Sequence, residues 1–348
     1  MKKLSYFLGS LLLASSLVAC GGSGKEATTT TDKPSEPAGD AAAEEITIAI
    51  GTAAPDNETS HYHQFIMKFQ EELDAKTGGT IKLDYHPNGE LGGEREMIEA
   101  VGLGTLDATV TGAGPLGNFS PLSNALDFPF LFRDREHAYK VLDGEIGQEI
   151  ADQMKDSNLE LLAWAENGFR NITNSKHPIV KPEDLNGLKI RTQENQIHLQ
   201  AFSDYGAAPT PMAFTELFPA MQQGVVDGEE NPLSVIVPNK FWEVQKYITM
   251  SEHFYQAAGF IINKTKFDSF SPETQEIIRE AAAVARDYER EFIFQMGEEF
   301  LQTLKDNGME VVANDEYDRE AFEKASENVY DKFNAEYGEI VERIKAVK

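Results

Sequence analysis

The sequence predicts an α/β fold in two lobes, with helices flanking a sheet, and three observations carry that expectation. From Ile46 onward, strand-like runs alternate with amphipathic, helix-like ones. The chain has 348 residues, 41% of them hydrophobic, ample for folding and more than one core usually organises. One segment with helical apolar spacing is about 35 residues long, on the order of 50 Å at 1.5 Å per residue, which a single lobe would hardly contain.

Before the folded part, Lys2 and Lys3, the apolar run from Leu11 to Ala14 and the sequence Leu17-Val18-Ala19-Cys20-Gly21 read as a secretory signal over residues 1–19 ending in a lipobox. The apolar run is shorter than the roughly 20 residues a membrane span needs, so cleavage fits better than an anchor helix. Cys20 would then be the new N-terminus, acylated and held at the outer face of the membrane or in the periplasm. Removing the two lysines takes the net charge from −27 to −29. Residues 20–45 are small, polar and acidic without periodicity, as expected of a disordered tether with a reach of about 25–30 Å.

Residues 46–50 alternate as a strand, 60–76 form an amphipathic helix and 80–85 are again strand-like, which is a βαβ opening. A helix over 93–103 and a strand over 108–111 repeat it, with further strands expected at 159–165 and 188–191. The long helix opens at Ser271-Pro272, an N-cap followed by a proline in the first turn, and closes at Asn307-Gly308. It either kinks near Gly297 or lies across both lobes, and the spanning geometry is the expected one.

The 58 acidic against 31 basic residues exclude whole-surface binding to nucleic acid or to anionic lipid. Any anionic ligand needs a local basic pocket. The single cysteine excludes an intramolecular disulfide and a cysteine-rich metal site. No G-x-S-x-G, S-x-x-K, H-E-x-x-H or phosphate-loop signature is present, so neither a nucleophile nor a cofactor is expected. His61 and His63 flank Tyr62 at a helix entrance and lack a third ligand, so they read as ordinary polar residues and no metal is expected. Four Asn-x-Ser/Thr triplets, at Asn57, Asn118, Asn171 and Asn263, read as chance beside a bacterial lipobox.

Between Gly168 and Pro232 lies a cluster of distinctive segments: Gly168-Phe169-Arg170-Asn171, Leu188-Lys189-Ile190-Arg191, Pro209-Thr210-Pro211-Met212-Ala213-Phe214 and Gly228-Glu229-Glu230-Asn231-Pro232. An arginine at a strand end beside loops suits bidentate grip on a carboxylate, and it suits a surface salt bridge equally well. Together with Gly89 to Arg95, Asp127 to Phe132 and Phe241 to Tyr247, these co-linear segments resemble the solute-binding proteins of TRAP transporters, the DctP family, over essentially the whole chain from Ile46.

The resemblance implies a two-lobed periplasmic-binding-protein-like fold with a long helix across both lobes. It divides the chain into lobe I, residues 46–167 with 257–296, and lobe II, residues 168–256 with 297–348. It implies an organic-acid anion captured between the lobes and passed, without chemistry, to TRAP permease membrane subunits that use an ion gradient. Arg191 matches the carboxylate clamp, Arg170 a second polar contact, Asn231 a hydrogen-bonding partner and Phe214 an aromatic wall. Glu94 matches an acid that binds ligand hydroxyls in some members, and it reads equally as a helix N-terminal charge. Thr111, Gly112 and Ala113 stand where sialate binders carry a glutamate, which speaks against sialic acid. The run after Arg191 is more like that of members taking uronates or small organic acids; Glu194, Asn195 and His198 either meet hydroxyls or cap the next helix. The rival readings are a lipid-anchored lyase acting on sugar acids and a ligand sensor for a signalling receptor.

Overall fold

The computed structural model describes residues 45–348, so the expectations for the signal segment, Cys20 and most of the tether lie outside the described residues. Nine strands form one sheet: β1 (Ile46–Gly51), β2 (Ile81–His86), β3 (Ala108–Gly112), β4 (Leu159–Asn174), β5 (Lys189–Thr192), β6 (Ala208–Pro211), β7 (Gly228–Pro232), β8 (Tyr247–Asn263) and β9 (Glu310–Val312). Their order is β2-β1-β3-β8-β4-β7-β5-β6, with β9 added to β8. At one end β1 pairs in parallel with β2 and β3, and at the other β5 pairs in parallel with β6 and β7.

Between these ends run β4 and β8, paired antiparallel over 16 and 17 residues. β3 pairs with the last third of β8, and β7 pairs with the end of β4, so β8 carries one parallel end and β4 the other. Both are buried along nearly their whole length, which erases the two-residue alternation that reveals half-exposed strands. That is why β4 runs nine residues beyond the predicted end at 165 and why β8 carries no strand pattern in the sequence. The pairing of β4 with β8 shifts register between Glu166 and Gly168, where Gly168 takes φ +114°, a conformation that favours glycine.

The predicted helices form within a residue or two of expectation. In α1 (His61–Thr77) the Ser60 hydroxyl accepts from the His63 amide and Gly78 closes the helix in the left-handed conformation. In α2 (Glu94–Leu103) the Glu96 carboxylate reaches back to the Gly93 amide at 2.8 Å. Three further helices matter for the site and its frame: α3 (Gln196–Asp204), α4 (Phe214–Gln222) and α5 (Pro272–Asp306).

α5 is one helix of 35 residues, unbroken through Gly297. Its first half sends Ile278, Ala281, Ala282 and Ala285 into a core with Phe65, Phe69 and Phe260, and its second half sends Phe300 and Leu304 into a different core with Leu217, Phe241 and Ile248. A third, larger core includes Met97, Ile190, Phe202 and Tyr337. Among the described residues no helix is long and apolar enough to cross a membrane.

Candidate functional site

The site lies where the N-termini of α1, α2 and α4 approach the ends of β5 and β7. On β5, Ile190 points into the core while Arg191, on the opposite face, is 2% exposed. Its Nε and Nη2 both donate to the Met212 carbonyl, at 3.1 and 2.9 Å, which fixes the plane of the guanidinium. Nη1 is buried with no hydrogen-bond partner, and among the described residues Arg191 has no carboxylate within ion-pair distance. Burial first, and the neighbouring Arg170 charge second, push its pKa down, yet an arginine stays protonated throughout the usable pH range. Phe214 stands with its ring centroid 6.0 Å from the guanidinium carbon. A buried guanidinium with Nη1 free and no carboxylate within ion-pair distance has the chemistry to accept an anion.

Arg170 has the opposite fate. It points from β4 to β7 and binds the Glu230 carboxylate through Nε and Nη2, the latter at 2.8 Å, with Nη2 also on the Glu230 carbonyl and Nη1 on Gln256 Oε1. All of this is fully buried. Against burial, which opposes its charge, Arg170 together with His198 and His253 holds the Glu230 carboxyl well below the usual range. Arg170, expected as a second polar contact for the ligand, is thus neutralised internally, its donors committed to Glu230 on β7 and Gln256 on β8.

Beside Arg191 lies a cavity of about 30 Å³ lined by His61, Tyr62, Glu94, Asn167, Gln193, Phe214, Asn231 and Ser234 among others. Glu94 Oε1 accepts from the Gly112 amide at 2.8 Å and from the Thr111 hydroxyl at 3.2 Å, which anchors the carboxylate at the end of β3. Asn231 Nδ2 donates to Glu229 Oε2, and burial pushes the Glu229 carboxyl up to about 7. The Tyr62 hydroxyl is buried without a partner; burial first, then the Glu94 and Glu289 charges, raise its pKa well above the ordinary value. His61 Nε2 faces Asn167 Oδ1 and its Nδ1 faces the Ser234 carbonyl, both at 3.1 Å. Burial lowers the His61 pKa to about 4.

Of the predicted residues, Glu94, Phe214 and Asn231 line this cavity and Arg191 stands against its Phe214 wall. Arg170, Glu194 and His198 have other partners. Glu194 pairs with Arg95 at 3.1 Å, while the following Asn195 accepts from the Ile197 and His198 amides, so the capping alternative is the one realised for that residue. His198 is fully buried, stacked on Phe254 and bonded to Asp127. His63 lies beside Tyr85, because residues two apart on a helix face different ways.

Tyr62, Asn167, Gln193 and Ser234 went unrecognised as lining residues in the sequence. Buried amides and hydroxyls carry no periodic signal; only the adjacency of Asn167 to Gly168 and of Gln193 to the Arg191 strand end pointed their way. A larger groove of about 850 Å³ runs along α5 past Arg135, Tyr139, Phe169 and Phe294. Of its cations, Arg135 and Arg290 are paired with Glu166 at 2.8 Å and Asp143 at 2.6 Å, while Arg133 donates to the Lys345 and Val347 carbonyls.

The geometry can be set beside known proteins. Residues 50–336 match the model of the DctP family, described as bacterial extracellular solute-binding protein, family 7. A "Solute-binding protein" of Verminephrobacter eiseniae is 41% identical over 308 residues, 88% of this chain and 91% of the relative. A TRAP periplasmic solute-binding protein from Polaromonas sp. JS666, solved with D-erythronate, superposes with a TM-score of 0.84 at 44% identity, covering 87% of this chain and 99% of the other. The sugar acid binding protein DctPAm of Advenella mimigardefordensis, solved with galactonate, also gives a TM-score of 0.84, at 34% identity, covering 87% and 98%. On the match to nearly all of its folded length, this chain belongs to the DctP family of bacterial extracellular solute-binding proteins.

Proposed function

We propose that this protein is the extracytoplasmic solute-binding component of a TRAP transporter and that its ligand is a sugar acid of the aldonate or uronate type. The observation that carries the reading is Arg191: a buried guanidinium, oriented by the Met212 carbonyl, with Nη1 unpaired. A ligand carboxylate supplies the missing acceptor and counter-charge. The remaining lining suits hydroxyl groups, since Glu94, Asn167, Gln193 and Asn231 offer acceptors and donors around the same space. The aldonates held by the two structures compared above support this class, and with Arg170 spent on Glu230 it is Arg191 that takes the single carboxylate such a ligand carries.

Capture is a closure. The cavity holds about one water, whereas ligand pockets are typically ~300–1,000 Å³. A sugar acid therefore enters when residues 46–167 with 257–296 part from residues 168–256 with 297–348. Contacts across that division include Asn57 Nδ2 to the Pro238 carbonyl at 3.2 Å and Arg95 to Glu194 at 3.1 Å. The bending falls on β4 and β8, near the register shift at Gly168, while α5 ties both cores together. Acylated Cys20 keeps the protein beside the permease membrane subunits, which take the unchanged ligand and spend the ion gradient.

A thermal-shift screen with D-erythronate, galactonate, galacturonate and succinate tests the reading. A ligand at 100 times its Kd stabilises the protein by about 2.7 kcal/mol. The sugar acids should raise the Tm and be recovered chemically unchanged. Conversion of the ligand would favour the lyase alternative, and no shift with any organic acid would remove the proposal.

A further inference from the structure

The hydrogen-bond chain behind the cavity has a fixed direction. Arginine is only a donor, so the Arg170 Nη1 contact identifies the Gln256 oxygen as the acceptor. Asn167 Nδ2 must then be the group that donates to the same oxygen, at 2.6 Å, which turns Asn167 Oδ1 toward His61. His61 Nε2 must therefore carry a proton. Its other nitrogen, Nδ1, lies 3.1 Å from a second obligate acceptor, the Ser234 carbonyl. A neutral imidazole has one N–H and leaves two lone pairs facing each other; only the imidazolium satisfies both neighbours.

Two features oppose that charge. The ring is 1% exposed, and it occupies the first position of α1, where the helix dipole is unfavourable to a cation. Burial accordingly holds its pKa down near 4. The charged and titratable groups nearby do not relieve this. Glu94 on α2, Glu289 on α5 and Arg170 on β4 act on the neighbouring Tyr62 hydroxyl, and Glu94 Oε1 is already occupied by Thr111 and Gly112. Arg191 on β5, its guanidinium carbon 6.0 Å from the Phe214 ring centroid, adds positive charge, and the segment Leu233–Ile236 that carries Ser234 adds none. What is missing is one negative charge in the cavity that His61 itself lines.

We infer that His61 is a ligand-binding residue that takes up a proton when an anionic ligand enters, so that the ligand's negative charge is shared between Arg191 and an imidazolium which also bridges Asn167 to Ser234. The inference rests on the carboxylate-binding reading above. The proton is drawn from solvent, and no covalent bond changes. Because the pKa of His61 is raised in the complex, the added affinity is present at low pH and is lost as pH rises through the bound-state value. Between the free and bound values the Kd rises by up to about tenfold per pH unit.

Calorimetric titration of the protein with D-erythronate and with galactonate, in buffers of low and high ionisation enthalpy, reads the proton directly. The expected result is uptake of about one proton per ligand at pH values between the free and bound pKa of His61, falling away on either side, with a Kd that weakens as pH rises through that window. His61→Asn should bind more weakly, with a heat that no longer depends on the buffer and a Kd that is flat with pH. Nitrogen shifts of the His61 ring in the wild-type complex provide a check that needs no variant: both nitrogens should be protonated when ligand is bound. Binding with no proton uptake and a flat Kd overturns the inference while leaving the Arg191 clamp standing. Uptake that persists in His61→Asn also overturns it. Absence of any binding of either sugar acid overturns both this and the reading it rests on.

Discussion

Arg191 and Arg170 show how much one residue's partner decides. Both are buried arginines near strand ends, yet one is held by a backbone carbonyl with a donor to spare and the other is cancelled by Glu230. The alternation Leu188-Lys189-Ile190-Arg191 made it legible that Arg191 lies opposite the core, but it left a carboxylate grip and a surface salt bridge equally open, and only the family resemblance pointed to a clamp. The cancellation of Arg170 was not legible, because Glu230 lies 60 positions away on β7 and only the β4–β7 register brings the two together. Tyr62 gives a sharp test at the same scale. Its hydroxyl is buried without a partner, so Tyr62→Phe loses no hydrogen bond within the protein and should leave the Tm unchanged or slightly higher, while weakening sugar-acid binding as measured by titration. Glu229 bears on pH. Its carboxyl titrates near 7 when folded, above the ordinary carboxylate value, so the folded state holds more protons than the unfolded one between about pH 4.5 and 7, and stability falls as pH rises through that window. Glu229→Gln can accept from Asn231 through its oxygen and donate to Thr173 through its nitrogen, so urea unfolding of the variant should show a shallower fall and greater stability at pH 7 and above.

At the scale of elements, α5 was the most readable feature, because an N-cap serine, a first-turn proline and a closing Asn-Gly bracket an apolar repeat at helical spacing. The strands β4 and β8 were the least readable, since strands buried on both faces lose alternation and their length is set by partners distant in the chain. Gly297 separates the two halves of α5 that pack in different cores, and a methyl group placed there meets no atom within 4 Å. Gly297→Ala should therefore raise stability by about 0.5–1 kcal/mol through helix propensity alone, visible as a higher Tm. Gly168→Ala should do the reverse, because φ +114° disfavours any side chain and the new Cβ would sit 3.3 Å from Pro232. A loss of about 1–3 kcal/mol is expected in unfolding measurements.

For the whole molecule, a net charge of −27 repels the very ligand that the site is built to hold. Attraction is confined to the cleft, where low dielectric strengthens Arg191 and ionic screening hardly reaches. Moderate salt should thus speed association in stopped-flow measurements while changing Kd little. The fold class was readable from alternating patterns, but the enclosure of the site was not, since the cavity is lined from α1, α2, α4, β4, β7 and the loop after β5 at once. The central claim is that a ligand carboxylate completes Arg191, and it is tested most directly by titrating wild type and Arg191→Ala with the same aldonate. Losing a buried, charge-paired arginine should cost about 2–5 kcal/mol, a Kd raised roughly 30- to several-thousand-fold. An Arg191→Ala protein that remains folded and binds with unchanged affinity would contradict it.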